Sequence, residues 1–133
     1  MRLLIDTQIL IWFQLNHPHL KKSVVELLTD LKNDIFVSDI SLFEIAIKQT
    51  VGKLTDFQVN IQDVISVAKE DGFTFLPLSH EHINSYGQVP LFADHRDPFD
   101  RIIISAARFE KMAVVSADEK FIQYKDYLEL IEA

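Results

Sequence analysis

The chain predicts an α/β domain with a central, mostly parallel sheet of about five strands and helices on both faces. Two observations carry this. Short apolar runs, such as Leu3-Leu4-Ile5, Ile35-Phe36-Val37 and Ala113-Val114-Val115, alternate with segments whose apolar residues recur at helical spacing. In addition, the acids Asp6, Glu44, Asp97, Asp100 and Asp118 fall where such a sheet would gather them at one edge. Ligands of open α/β sheets bind at that edge, outside the carboxyl ends of the strands.

Residues 2 to 5 read as a short buried strand, and Thr7 to Leu15 as a helix with Ile9, Leu10, Trp12 and Phe13 around it. Asn16-His17-Pro18-His19 is a break. Leu20 to Lys32 reads as a second helix, from the spacing of Val24, Val25, Leu27, Leu28 and Leu31. Ile35 to Val37 is the second strand. Ser38 or Asp39 caps the next helix, which carries Leu42, Phe43, Ile45, Ala46 and Ile47 and stops near Gly52. Thr55 to Asn60 is a loop. Ile61 to Asp71 is helical, and Phe73 to Leu76 is a third strand ended by Pro77. Ser79 begins a helix of low amphipathicity, and Pro90 to Arg96 is a loop. With Asp97 as cap and Pro98 at the first position, a helix runs to about Glu110. Ala113 to Val115 is the fourth strand, a short helix lies near Glu119, and Tyr127 to Ile131 is a weak fifth strand. The chain shows no repeats, linkers or low-complexity tracts.

A length of 133 residues fits one domain, 1–133, able to bury a core without staples. The absence of cysteine excludes a disulfide framework and cysteine-ligated zinc, and fits a reducing, cytoplasmic compartment. No stretch is long and apolar enough for a membrane span. The opening MRLLIDTQILIWF has an acid within its apolar run and no small-residue cleavage site, so it reads as a first strand and not as a signal peptide. A net charge of −7 argues against a broad basic surface for gripping nucleic acid. It leaves room for a nucleic-acid enzyme whose acids hold metal, and for a basic partner protein.

Each acid has an ordinary structural explanation. Asp6 and Asp118 follow strands, where a carboxylate caps the next helix. Glu44 and Lys48 are spaced for a surface ion pair. Asp97 before Pro98 is capping chemistry, and Asp100 is favoured by the helix dipole. Their convergence on one sheet edge is the less ordinary feature. Carboxylates crowded together repel unless neutralised, and a hard divalent cation with oxygen ligands neutralises them.

The segments LLIDTQILIW, SDISLFEIAIK, HRDPFDRIIISAA and VVSADEKF resemble, in order, the signature stretches of PIN-domain ribonucleases. The nearest subgroup is the VapC-like toxins of bacterial type II toxin–antitoxin systems. The resemblance spans Arg2 to about Phe121 and implies a PIN-like three-layer sandwich with Mg²⁺- or Mn²⁺-dependent cleavage of RNA. It makes Asp6, Glu44 and Asp100 the core acids, Asp118 the more variable fourth, and Asp97 the extra acid of the DPFDR subgroup. Thr7 and Ser116 fill the small hydroxyl positions. Gln8, Phe43 and Ser116 depart from the subgroup's usual His, Trp and Thr, and no carboxylate is lost. The resemblance also implies an inhibitory cognate antitoxin and a homodimer.

Phosphodiester hydrolysis needs an activated water and charge neutralisation, which one or two Mg²⁺ ions supply. No histidine stands out as a general base. His17, His19, His80 and His82 read as solvated surface. His95, Arg96 and Arg101 are placed either to touch RNA phosphate or to screen the acids, and Lys48 and Lys53 are similar candidates. Trp12 and Phe13 read first as core. A catalytically silent PIN-like partner-binding or regulatory protein is the competing reading, which the intact Asp6, Glu44 and Asp100 disfavour. A response-regulator phosphoacceptor would need an acid after the third strand, where Leu76-Pro77 stands. Three glycines form no phosphate-cradling loop.

Overall fold

The computed structural model describes residues 1–133. Strands β1 (Arg2–Ile5), β2 (Asp34–Ser38), β3 (Thr74–Leu76), β4 (Ala113–Ser116) and β5 (Leu130–Glu132) form one sheet in the order β3-β2-β1-β4-β5. Every neighbouring pair is parallel. The helices are α1 (Thr7–Leu15), α2 (Lys22–Thr29), α3 (Asp39–Thr50), α4 (Ile61–Glu70), α5 (His80–Ser85) and α6 (Pro98–Glu110). Short 3-10 turns cover Tyr86–Gln88 and Glu119–Tyr124. No helix is long and apolar enough to cross a membrane.

The strand period of two divides the core in half. Leu3 pairs with Ile35 on one side and Ala113 on the other, and Ile5 pairs with Val37 and Val115. These residues face a cluster completed by Ile9 and Leu10 of α1, Val24 and Leu28 of α2, Ile45 of α3, and Val64 and Ala68 of α4. Leu4 and Val114 point the opposite way, onto Ile103, Ile104, Ala106 and Ala107 of α6. The central strands are apolar on both faces because helices cover both. Fully burying an aliphatic side chain in either layer is worth about 1.5–3 kcal/mol.

The chain runs outward from β1 to β2 and β3, then returns to the other side of β1 for β4 and β5. The sheet order therefore reverses between β1 and β4, and the crevice above their carboxyl ends is where this topology binds ligands.

The boundaries differ from expectation in a few places. Helix α2 spans Lys22–Thr29 and not Leu20 to Lys32, because Leu31 is 99% exposed and buries nothing against the sheet. Of the two expected caps of α3, Ser38 is the one used: its hydroxyl accepts from the Ile40 N–H. As expected, α3 stops near Gly52, which lies just past its end at φ +76°, a left-handed conformation that suits glycine. Strand β5 begins at Leu130, not Tyr127, and Leu128 packs into the α6 layer.

Candidate active site at the carboxyl edge of the sheet

Asp6 is the first residue past β1. Its N–H donates to the Val115 carbonyl at 3.1 Å, which ties it to β4. Its Oδ1 accepts from the Ile9 N–H at 2.9 Å, so it caps α1. It is also buried, and burial pushes its carboxyl up to about 7, the charges of Asp100 and Asp118 adding to the rise. Hydrogen bonds from the Ser116 hydroxyl and the Ile9 N–H oppose the shift without cancelling it.

Glu44 lies on the buried face of α3. Its Oε1 is 2.6 Å from Thr7 Oγ1 and its Oε2 is 2.7 Å from Lys48 Nζ. Thr7 Oγ1 also meets Ser41 Oγ at 2.9 Å. A hydroxyl has one proton and a carboxylate only accepts. Thr7 therefore donates to Glu44, and Ser41 donates to Thr7.

Asp97 and Asp100 open α6. Asp97 Oδ1 accepts from the Phe99 N–H at 2.9 Å, with Pro98 at the first helical position. Asp100 sits within the first turn, and its Oδ2 is 3.0 Å from His95 Nε2. Burial raises its carboxyl to about 6; Asp97 and Glu44 push the same way, and the bond from His95 opposes them. Asp118 follows β4. Its N–H donates to Ser116 Oγ and its Oδ1 accepts from the Lys120 N–H at 2.9 Å.

All five predicted acids line one cleft of about 220 Å³, together with Thr7, Gln8, Ile11, Lys48 and Leu54. Asp97 is both a helix cap and a wall of the cleft, so the two roles do not compete. The cleft is walled by carboxylates, none of them sulfur-flanked, which is the donor chemistry of a hard divalent cation. Two of these carboxyls, Asp6 and Asp100, are raised chiefly by burial and further by the neighbouring acids.

Some basic residues lie elsewhere than expected. His82 is buried, not solvated: its Nδ1 accepts from the Ser79 N–H, and its own N–H donates to Ser79 Oγ. Arg101 neither screens the acids nor reaches outward. Buried at 5% exposure, it donates to the carbonyls of Pro90 and Val89 and to the Tyr86 hydroxyl. His17 is half-buried, stacked on Trp12 at 5.3 Å, while His19, His80 and Arg96 are exposed. Phe13 packs on Phe73 in the core, as expected. Sequence reasoning missed Ser41, and it missed Tyr124, whose hydroxyl lies 2.6 Å from His95 Nδ1.

A family model described as the PIN domain matches residues 3–127. The chain belongs to the PIN-domain family. PIN domains are generally nucleases. Its fold is similar to that of VapBC2 from Rickettsia felis, solved bound to a DNA fragment from its promoter: TM-score 0.72 and 20% identity over 100% of this chain and 99% of that one. VapBC-1 from nontypeable Haemophilus influenzae gives 0.68 and 19% over 99% and 98%. The PIN domain endonuclease Utp24 gives 0.54 and 17% over 99% and 84%. At these identities the likeness is one of fold, a VapC-like PIN fold. No curated protein matches the chain significantly by sequence.

Proposed function

We propose that this chain is a metal-dependent endoribonuclease and the toxin of a bacterial type II toxin–antitoxin module, acting as a single cytoplasmic domain. One observation carries the reading: five carboxylates converge on the cleft at the switch point of the sheet, and two of them are held there at an electrostatic disadvantage. Folding alone does not benefit from that arrangement, whereas cation binding does.

Asp6, Glu44, Asp97, Asp100 and Asp118 are the residues that would hold Mg²⁺ or Mn²⁺. A divalent ion supplies charge neutralisation at the phosphoryl group and activation of the attacking water. The chain's own residues orient the acids. Ser116 and the α1 N-terminus fix Asp6, Thr7 fixes Glu44, and the start of α6 fixes Asp97. Lys48 adds a positive charge at the mouth for a polyanionic substrate.

The PIN subunits of the VapBC structures are paired with antitoxins, and a comparable partner fits this chain. Phe43, Ile47 and Val51 are exposed along α3, and a shallow apolar surface joins them to Ala46 and Thr50 beside the cleft. An antitoxin segment laying an Arg or Lys among Asp6, Glu44 and Asp100 would satisfy the acids with matching geometry. A homodimer is the other use of exposed apolar surface.

The test is cleavage by the purified chain, free of antitoxin, on RNA with Mn²⁺ or with EDTA. Cutting is expected only with metal and is expected to disappear in Glu44→Gln. Cutting that persists in EDTA would remove the metal reading, and a well-folded, metal-loaded chain inert on every RNA would favour the silent, partner-binding alternative.

A further inference from the structure

In the structure, His95 has so far entered only as the hydrogen-bond partner of Asp100. It precedes α6, is 4% exposed, and packs edge-on against Phe121 and Tyr124 with ring centroids 5.4 and 5.3 Å away. Both ring nitrogens are engaged: Nδ1 lies 2.6 Å from Tyr124 Oη and Nε2 lies 3.0 Å from Asp100 Oδ2. Tyr124 is itself 1% exposed and wedged beside Phe92 and Phe121.

The directions of these bonds follow from the proton inventory. Asp100 as a carboxylate only accepts, so Nε2 must donate. A neutral imidazole carries one N–H, so Nδ1 must accept, and the Tyr124 hydroxyl must donate to it. These assignments follow from the donor and acceptor capacity of each group. The chain Tyr124 to His95 to Asp100 thus donates in one direction throughout.

We propose that His95 is the positioning residue of Asp100: Tyr124 locks its imidazole as the Nε2–H form, which holds Asp100 Oδ2 and aims Oδ1 into the cleft. The proposal rests on the reading of the cleft as a metal site. His95 also lies in a group with Asp100 and Asp118 in which one ligand atom from each lies within 4.8 Å of the others. Direct coordination by His95 would require an Nε2 lone pair and would cost the bond to Asp100. The two roles therefore exclude each other, and the imidazole proton distinguishes them. Groups that orient a metal ligand from behind typically change affinity by about 10–100-fold when removed.

The experiment uses the full chain labelled with ¹⁵N in histidine, and Mn²⁺ titrations followed by calorimetry. In the metal-free chain and with Mg²⁺, His95 is expected to show a protonated Nε2 and a bare Nδ1. His95→Leu is expected to weaken Mn²⁺ binding about tenfold or more, while His95→Gln, whose amide N–H overlays Nε2–H, restores most of it. Tyr124→Phe keeps the ring packing, so it serves if His95→Leu folds poorly; it should give mixed tautomers and weaker Mn²⁺ binding. An Nε2 that loses its proton when Mg²⁺ binds makes His95 a ligand and overturns the proposal. Unchanged Mn²⁺ affinity in folded Tyr124→Phe and His95→Leu also overturns it. A wild-type chain that binds no Mn²⁺ overturns the proposed function instead, and the metal-free imidazole spectrum still decides the hydrogen-bond chain.

Discussion

Two buried imidazoles in this molecule face carboxylates, and their surroundings differ. His82 at the start of α5 takes a hydrogen bond from Ser79 N–H on Nδ1 and points Nε2 toward Glu110 at 3.6 Å. Its environment is a capping box, closed by Ser79 Oγ and covered by Phe109. His95 has nearly the same local arrangement, with Tyr124 in the place of Ser79 and Asp100 in the place of Glu110. Its acid, however, stands in a cleft with Asp6, Glu44, Asp97 and Asp118. Glu110 has no such company. A buried histidine on a carboxylate is therefore an ordinary packing device, and the accompanying acids set the copy at the candidate site apart.

The largest expected difference is in catalysis. Asp100→Asn should lower metal-dependent cleavage by more than about 100-fold, since losing a ligand exceeds the roughly 10–100-fold cost of losing an outer partner. Glu110→Gln should leave cleavage unchanged. Equal loss in both variants would show that the comparison is one of fold stability, and melting curves measured alongside would reveal it.

The next difference is in pH dependence. Asp6 and Asp100 carry raised carboxyls in the folded chain, to about 7 and about 6. A raised carboxyl binds its proton more tightly in the folded state. Stability of the metal-free chain should therefore fall as pH rises from about 4 through about 7, by on the order of 4 kcal/mol for Asp6 taken alone. In EDTA, unfolding at pH 5 and pH 8 should show this decline, Asp6→Asn should flatten it, and Mn²⁺ at pH 8 should restore stability by binding the folded state. Metal-free stability that rises over the same range would contradict the burial argument.

Smaller effects separate structural from functional parts. His82→Ala breaks the capping box and should cost about 1–2 kcal/mol while leaving Mn²⁺ affinity intact. Asp97→Asn should be nearly neutral in stability and Asp97→Ala should cost about 1 kcal/mol, because Asn caps as well as Asp. Loss of Mn²⁺ affinity in Asp97→Asn would show that the cleft uses this carboxylate in addition to the cap.

Much of the fold was legible because parallel strands buried on both faces leave an unbroken apolar run, as β1, β2 and β4 do. The acids were legible for a related reason: a residue just past such a run lands at the sheet edge, as Asp6 and Asp118 do. Leu31 misled the reading of α2 because helical spacing reports what a helix could bury, not what the chain gives it to bury. His82 and Arg101 were misplaced because their burial depends on partners far along the chain. Arg101 is satisfied by the carbonyls of Val89 and Pro90, and His82 faces Glu110 across 28 positions. The pairing of Tyr124 with His95 spans 29 positions and leaves no local trace in the sequence.

The order β3-β2-β1-β4-β5 has a consequence for when the cleft comes into being. Its walls are drawn from residue 6, residue 44, the turn of α6 and residue 118, and they meet only after β4 inserts beside β1. A ribosome that has released the first hundred residues has made most of the acids and none of the assembled cleft. A nascent chain has no assembled cleft until the β4 segment has been made, and one truncated before β4 never assembles it.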